Sequence, residues 1–202
     1  MDTVTRDDLQ IIQQQIGRAP RGVIGVPTRC GYGYPVVALV YPVIDGKPFP
    51  TIHWLTCPFL RLAIDRIEAR GGVGDLERRV AADGELEQAL DAAHERVIRD
   101  RLALLTAEDR EALERRGMIS SLSERGIGGI RDRARIKCLH LHVATELASA
   151  DPVGAIVLDR LACGRECDEK EVICSARSGR SRSPMNQSRE APRYGSATTL
   201  GG

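Results

Sequence analysis

The chain has 202 residues, a formal net charge of +1, and only 3% aromatic residues. That length buries one sizeable core without disulfide or metal staples. Near-neutral charge argues against a general polyanion binder, and the scarcity of aromatics argues against base stacking on aromatic platforms. The first ten residues, MDTVTRDDLQ, are acidic and polar, unlike a signal peptide. The longest apolar run, residues 35–44, is too short to span a bilayer and contains two prolines. Composition therefore predicts a soluble, cytoplasmic protein with no membrane contact.

In chain order, residues 6–16 predict a short helix with Thr5 as its N-cap and Gly17 past its end. Glycines and prolines then punctuate the chain as far as Pro50. Between them, residues 22–28, 36–41 and 51–56 are rich in β-branched side chains and predict two or three antiparallel strands. Ile44-Asp45-Gly46-Lys47 carries the Asp-Gly signal of a tight hairpin turn. From Pro58 the periodicity becomes helical. Leu60, Ile64 and Ile67 mark a first helix, and further helices are expected at 74–82, 85–104 and 107–116. The interspersed acids and arginines of this stretch read as solvated faces.

Residues 117–130 form a Gly/Ser-rich connector, and helices are expected again at 131–149 and 153–163. Beyond the cysteine at 167 the chain loses apolar periodicity, so residues 168–202 read as a disordered Ser/Arg/Gly-rich tail. The expected architecture is α+β: a small N-terminal antiparallel sheet covered by a mostly helical layer, in a single domain over residues 1–167.

Six cysteines carry the chemistry: Cys30, Cys57, Cys138, Cys163, Cys167 and Cys174. In a reducing compartment such thiols are metal ligands, reactive groups or core residues rather than disulfides. Thiolate suits zinc or an iron–sulfur cluster. The expected metal ligands are Cys30, Cys57 and Cys138 with Cys163 or Cys167 as the fourth, whereas Cys174 falls in the tail and is set aside. No paired C-x-x-C units occur. On a helix over 131–149, Cys138 and His142 are four apart and reach one metal ion, while His140 points elsewhere. A third option is thiol catalysis by Cys138, activated by His140 or His142. His53 and His94 read as packed or hydrogen-bonded residues, because no second histidine completes an H-E-x-x-H motif.

A second constellation is cationic. Arg18, Arg21 and Arg29 flank the expected sheet, and Arg131, Arg133, Arg135 and Lys137 lead into Cys138. Guanidinium forks suit phosphate or carboxylate, so an anionic ligand, or the phosphate groups of RNA or a nucleotide, is the expected partner. Arg18, Arg21, Arg29, Arg135 and Lys137 are the candidate anion-binding residues, with surface ion pairs as the competing role. No phosphate-binding G-x-x-x-x-G-K-S/T loop and no G-x-S-x-G nucleophile elbow is present.

The ordered motifs G-R-A-P-R-G (17–22), T-R-C (28–30), D-G-K-P-F-P-T (45–51), L-T-C-P (55–58), A-H-E (93–95) and R-I-K-C-L-H (135–140) resemble a bacterial family of unknown function, numbered 501 among such domains. The resemblance covers roughly residues 10–167. It implies a single-domain bacterial cytosolic protein and marks Cys30, Cys57 and Cys138 as parts of its motifs, with no activity to carry over. Two departures stand out: Asp151-Pro152-Val153-Gly154 replaces an expected Asn-Pro-x-Gly turn, and the tail after Cys174 is longer. Aspartate at that turn still caps the following helix.

Overall fold

The computed structural model describes residues 2–161 together with Cys167 and Cys174. Cys163 and the remainder of the expected tail lie outside the described residues. The fold is α+β, with an antiparallel sheet near the N-terminus under helices.

The first helix, α1 (Arg6–Ile16), follows a two-residue strand β1 (Asp2–Thr3). The N–H of Asp8 donates to Thr5 Oγ1 at 3.1 Å, and the Asp8 carboxylate accepts from the Thr5 N–H at 3.0 Å. This reciprocal cap satisfies two otherwise orphaned donors. Gly17 ends the helix at φ 74°, where a side chain would be strained.

The sheet adds β2 (Val23–Arg29), β3 (Pro35–Val40) and β6 (His53–Leu55), in the order β1-β2-β3-β6. Every residue of β3 is buried, because the sheet is covered on both faces. Ala38 packs with Val26 and Ile12 of α1 on one face. On the other, Val37 and Leu55 join Leu139 and Val143 from the far end of the chain. The short hairpin β4 (Val43–Ile44) and β5 (Lys47–Pro48) turns through Asp45 and Gly46, both at positive φ as a two-residue turn requires.

Helices α2 (Pro58–Glu68), α3 (Gly72–Ala82) and α4 (Gly84–Ala103) follow, then α5 (Ala107–Arg115) and the single turn α6 (Ser120–Ser123). Pro58 opens α2 at a position where its missing N–H is no loss. Leu60, Ile64, Leu76, Val80 and Leu90 bring α2, α3 and α4 into one apolar core with α7 (Leu139–Ala148) and α8 (Pro152–Asp159). Asp151 caps α8 through its side chain, accepting from the Gly154 N–H at 2.9 Å.

One expected helix is shorter than its periodicity suggests. Residues 131–138 are irregular, and α7 begins only at Leu139. The N–H groups that a longer helix would use are taken by acids of other helices. Ile136 N–H donates to Glu77 at 2.9 Å and Leu139 N–H donates to Glu68 at 2.5 Å. Cys138 is consequently the extended residue before α7, at φ −165° and ψ 154°. Among the described residues, no single helix is long and apolar enough to cross a membrane.

Candidate functional site

The displaced start of α7 creates the site. Because Cys138 precedes the helix, its neighbour is His140 rather than His142. Donor atoms of Glu68, Cys138 and His140 all lie within 4.8 Å of one another. Glu68 ends α2, and Leu139 N–H fixes its carboxylate. The His140 ring lies along α2: Nδ1 is 3.3 Å from Glu68, and Nε2 is 3.3 Å from both Asp65 and the Arg61 carbonyl. Burial works against a charged His140. The hydrogen bond with Cys138, then the Glu68 charge and the Arg61 carbonyl, outweigh it and leave the imidazole above its ordinary value.

These groups open into a cleft of about 350 Å³. Ile16, Leu55 and Leu141 supply apolar wall, and Arg18, Arg61 and Asp65 supply charge. The Arg18 guanidinium sits 5.0 Å above the Trp54 ring, a cation–π contact that holds it at the rim. Arg61 donates to the Gln15 carbonyl at 3.2 Å, tying α2 to the end of α1.

The other basic residues are engaged elsewhere. Arg21 pairs with Asp45, Arg29 with Asp8 at 2.7 Å, and Arg135 with Glu77 at 3.0 Å. Arg133 bridges Asp91 and Glu95, and Lys137 donates to the Gly128 carbonyl at 3.0 Å. Arg131 is exposed. Of the five candidate anion-binding residues, the structure brings only Arg18 into the cleft beside Cys138.

The histidine expected to join Cys138 serves the core instead. His142 Nδ1 lies 2.9 Å from the Asp151 carboxylate, and both residues are buried. His94 packs edge-on at 6.4 Å from the His142 ring, accepts from the Ile127 N–H at 3.0 Å, and lies 3.2 Å from the Arg133 carbonyl. Both His94 nitrogens are thereby used in its neutral form. His53 is also buried, and its Nδ1 has no partner among the described residues. Burial pulls its pKa down to about 4, with the Asp151 charge opposing.

The other described cysteines lie toward the opposite end of α2. Cys57 precedes Pro58, and 11 helical residues separate it from the end of α2 at Glu68, about 16 Å along the axis. Cys30 follows β2 and packs against both the central core and a smaller cluster of Ile11, Tyr32, Tyr34 and Cys174. Cys167 packs against that same cluster. Burial pushes the Cys57 thiol up to about 12; the N–H groups of Leu60 and Phe59 pull down, and neighbouring Cys174 and Cys167 push further up. Cys174, set aside from sequence as part of a disordered tail, is 6% exposed and accepts from Gln15 Nε2 at 3.2 Å. Cys57, Cys138 and Cys167 are free thiols.

Sequence reasoning therefore missed Glu68, Asp65 and Arg61 as companions of Cys138. The available signal was their spacing on one face of α2; nothing local links that face to a cysteine 70 residues on. The family described as "protein of unknown function (DUF501)" matches residues 26–159. No curated protein and no solved structure matches the chain.

Proposed function

We propose that this chain, which belongs to the DUF501 family of unknown function, is a metalloprotein with an open-sided zinc site at Glu68, Cys138 and His140 facing an anion-binding cleft. The observation that carries this reading is the approach of the three donor atoms to within 4.8 Å of one another. One carboxylate, one thiolate and one imidazole form a donor set that zinc accepts, and three protein ligands leave a fourth position for water or substrate. Zinc bound there supplies Lewis acidity and a more acidic bound water.

The surrounding residues fit that use. With His140 Nδ1 turned toward Glu68, the opposite nitrogen faces the Arg61 carbonyl and Asp65, the outer partners that orient a ligating imidazole. Leu139 N–H holds the Glu68 carboxylate in place. Arg18 and Arg61 give the cleft positive charge for a carboxylate or phosphate. Of the cysteines expected as ligands, this reading takes Cys138.

The sequence also suggested a non-enzymatic arginine module for the phosphate groups of RNA or a nucleotide. Its support is now Arg18 and Arg61, beside the Trp54 ring in the cleft. Binding to RNA that weakens steeply with salt while indifferent to zinc removal would favour that module.

Elemental analysis of the purified chain tests the zinc reading. One zinc per chain is expected, lost in both Cys138→Ser and His140→Ala with the fold retained. Unchanged zinc in both variants would overturn it.

A further inference from the structure

A cavity of about 140 Å³ lies between the sheet and the helices and shares no lining residue with the cleft. Its apolar wall is Pro27, Leu39, Ile52 and Leu104; its polar lining includes His53 and Asp100, with Ala148 and Ser149 at the end of α7. We propose that this cavity binds a small organic amine, its ammonium group held between the Asp100 carboxylate and His53 Nδ1 and its short alkyl body against the apolar wall. The local sequence opens the space. β2 loses register against β3 between Gly25 and Thr28, and Pro27 inside that break has no N–H to give to the ladder. Thr28 Oγ1 donates to the Leu147 carbonyl at 2.6 Å, which fixes the end of α7 beside β2. Leu39 and His53 pair across β3 and β6, so their side chains stand on one face of the sheet. Asp100 and Leu104, four apart along α4 and its C-cap, face the same cavity.

His53 carries the inference. It is 7% exposed, it lines the cavity, and its Nδ1 has no partner among the described residues. Folded proteins rarely leave a buried polar nitrogen unpaired, because its lost hydration is not recovered. Burial pulls the pKa of this imidazole down to about 4, so the ring is neutral at neutral pH and, with its proton on Nε2, Nδ1 accepts. The complementary group is a donor. Asp100 adds a negative charge, and among the described residues that line the cavity none is a lysine or arginine. An ammonium group has three donors and a positive charge, so it serves carboxylate and imidazole together. An alcohol has one donor for the two acceptors, and a carboxylate has none. Size sets the body: an apolar cavity of about 150 Å³ accepts benzene, so the alkyl part has about four to six carbons. A single water would satisfy Nδ1 without using Asp100 or the apolar wall.

Butylammonium, butanol and butyrate share an alkyl chain and differ in head group, so together they test the assignment on the unaltered full chain. Each is titrated at neutral pH while the histidine ring nitrogens are followed by NMR, with the His53 signals assigned by their absence in His53→Leu. The proposal expects saturable binding of butylammonium that moves the His53 Nδ1 resonance. That binding should be at least about tenfold tighter than butanol's and should weaken about tenfold in Asp100→Asn. Asp100 is exposed, which keeps that variant folded. An Nδ1 resonance that none of the three moves identifies water as its partner and overturns the proposal. Butanol or butyrate binding as tightly as the amine overturns it too, as does amine binding that Asp100→Asn leaves unchanged. The comparison of the three compounds needs no variant, so it decides the matter even where a substitution disturbs the fold. Cys138→Ser alters the cleft alone and should leave the amine titration as it was; loss of binding there would place the amine in the cleft and refute this site.

Discussion

At the scale of single residues, outside the cysteine regions, Arg101 is held by several hydrogen bonds at once. It is fully buried in α4, and among the described residues it has no carboxylate partner. Its Nε donates to the Leu122 carbonyl at 2.9 Å and Nη1 to the Pro50 carbonyl at 2.8 Å, while Nη2 reaches the Leu122 and Arg125 carbonyls. Burial lowers its pKa to about 10, still high enough to keep the charge at neutral pH. A guanidinium succeeds here because its planar fork spreads one charge over several fixed acceptors, which the compact ammonium of lysine cannot reach together. Each buried carbonyl left without a donor costs about 1–3 kcal/mol. Arg101→Met should therefore lose about 3–5 kcal/mol of stability. Arg101→Lys should recover only part of it. Urea denaturation measures both, and a loss under about 1 kcal/mol for Arg101→Met would mean that water replaces the guanidinium.

At the scale of elements, the contact between α7 and α8 depends on one missing side chain. A Cβ at Gly154 would sit 2.3 Å from the His142 carbonyl oxygen and 2.6 Å from Glu146 Cβ. The first of these is backbone and cannot swing aside. Gly154→Ala should accordingly push α8 off α7 and lower stability by about 2–3 kcal/mol, read as a fall in melting temperature. An unchanged melting temperature would show that the two helices slide freely. Local signals made α1, its caps, the hairpin turn and the three longer strands legible, because caps, turns and alternation are properties of neighbouring residues. The start of α7 was not legible. Its apolar spacing continues upstream through Ile136, but Glu68 and Glu77 capture the N–H groups that would have closed the earlier turns. Those acids are 71 and 59 positions away, so no window of sequence could reveal the competition. The candidate site inherits the same blindness. Cys138 was visible as a candidate, but its partnership with His140 in place of His142 follows entirely from where α7 begins.

At the scale of the whole molecule, the titratable interior sets how the fold responds to acid. His53 has a native pKa of about 4 against 6.5 in an unfolded chain. Its contribution is complete above 6.5, and it is lost as pH falls from 6.5 through 4, because only the unfolded state takes up the proton. That shift corresponds to about 3 kcal/mol at most. Burial moves His94 in the same direction, so it adds to the same stage. Asp8 behaves as a second, lower stage. The Arg29 hydrogen bond holds its carboxyl at about 2, below the ordinary 3.8, in spite of opposing burial. Stability from this pair is present above 3.8 and disappears as pH falls through 2, worth about 2 kcal/mol. Unfolding free energy should thus decline in two steps, the first between about pH 6.5 and 4 and the second between about pH 4 and 2. The two steps belong to different parts of the fold: the first to the buried polar core near Asp151, the second to the junction of α1 with β2. His53→Leu should flatten the first step and leave the second. If the first step persists unchanged in that variant, the buried imidazole at position 53 is not its source, and His94 becomes the group to alter next.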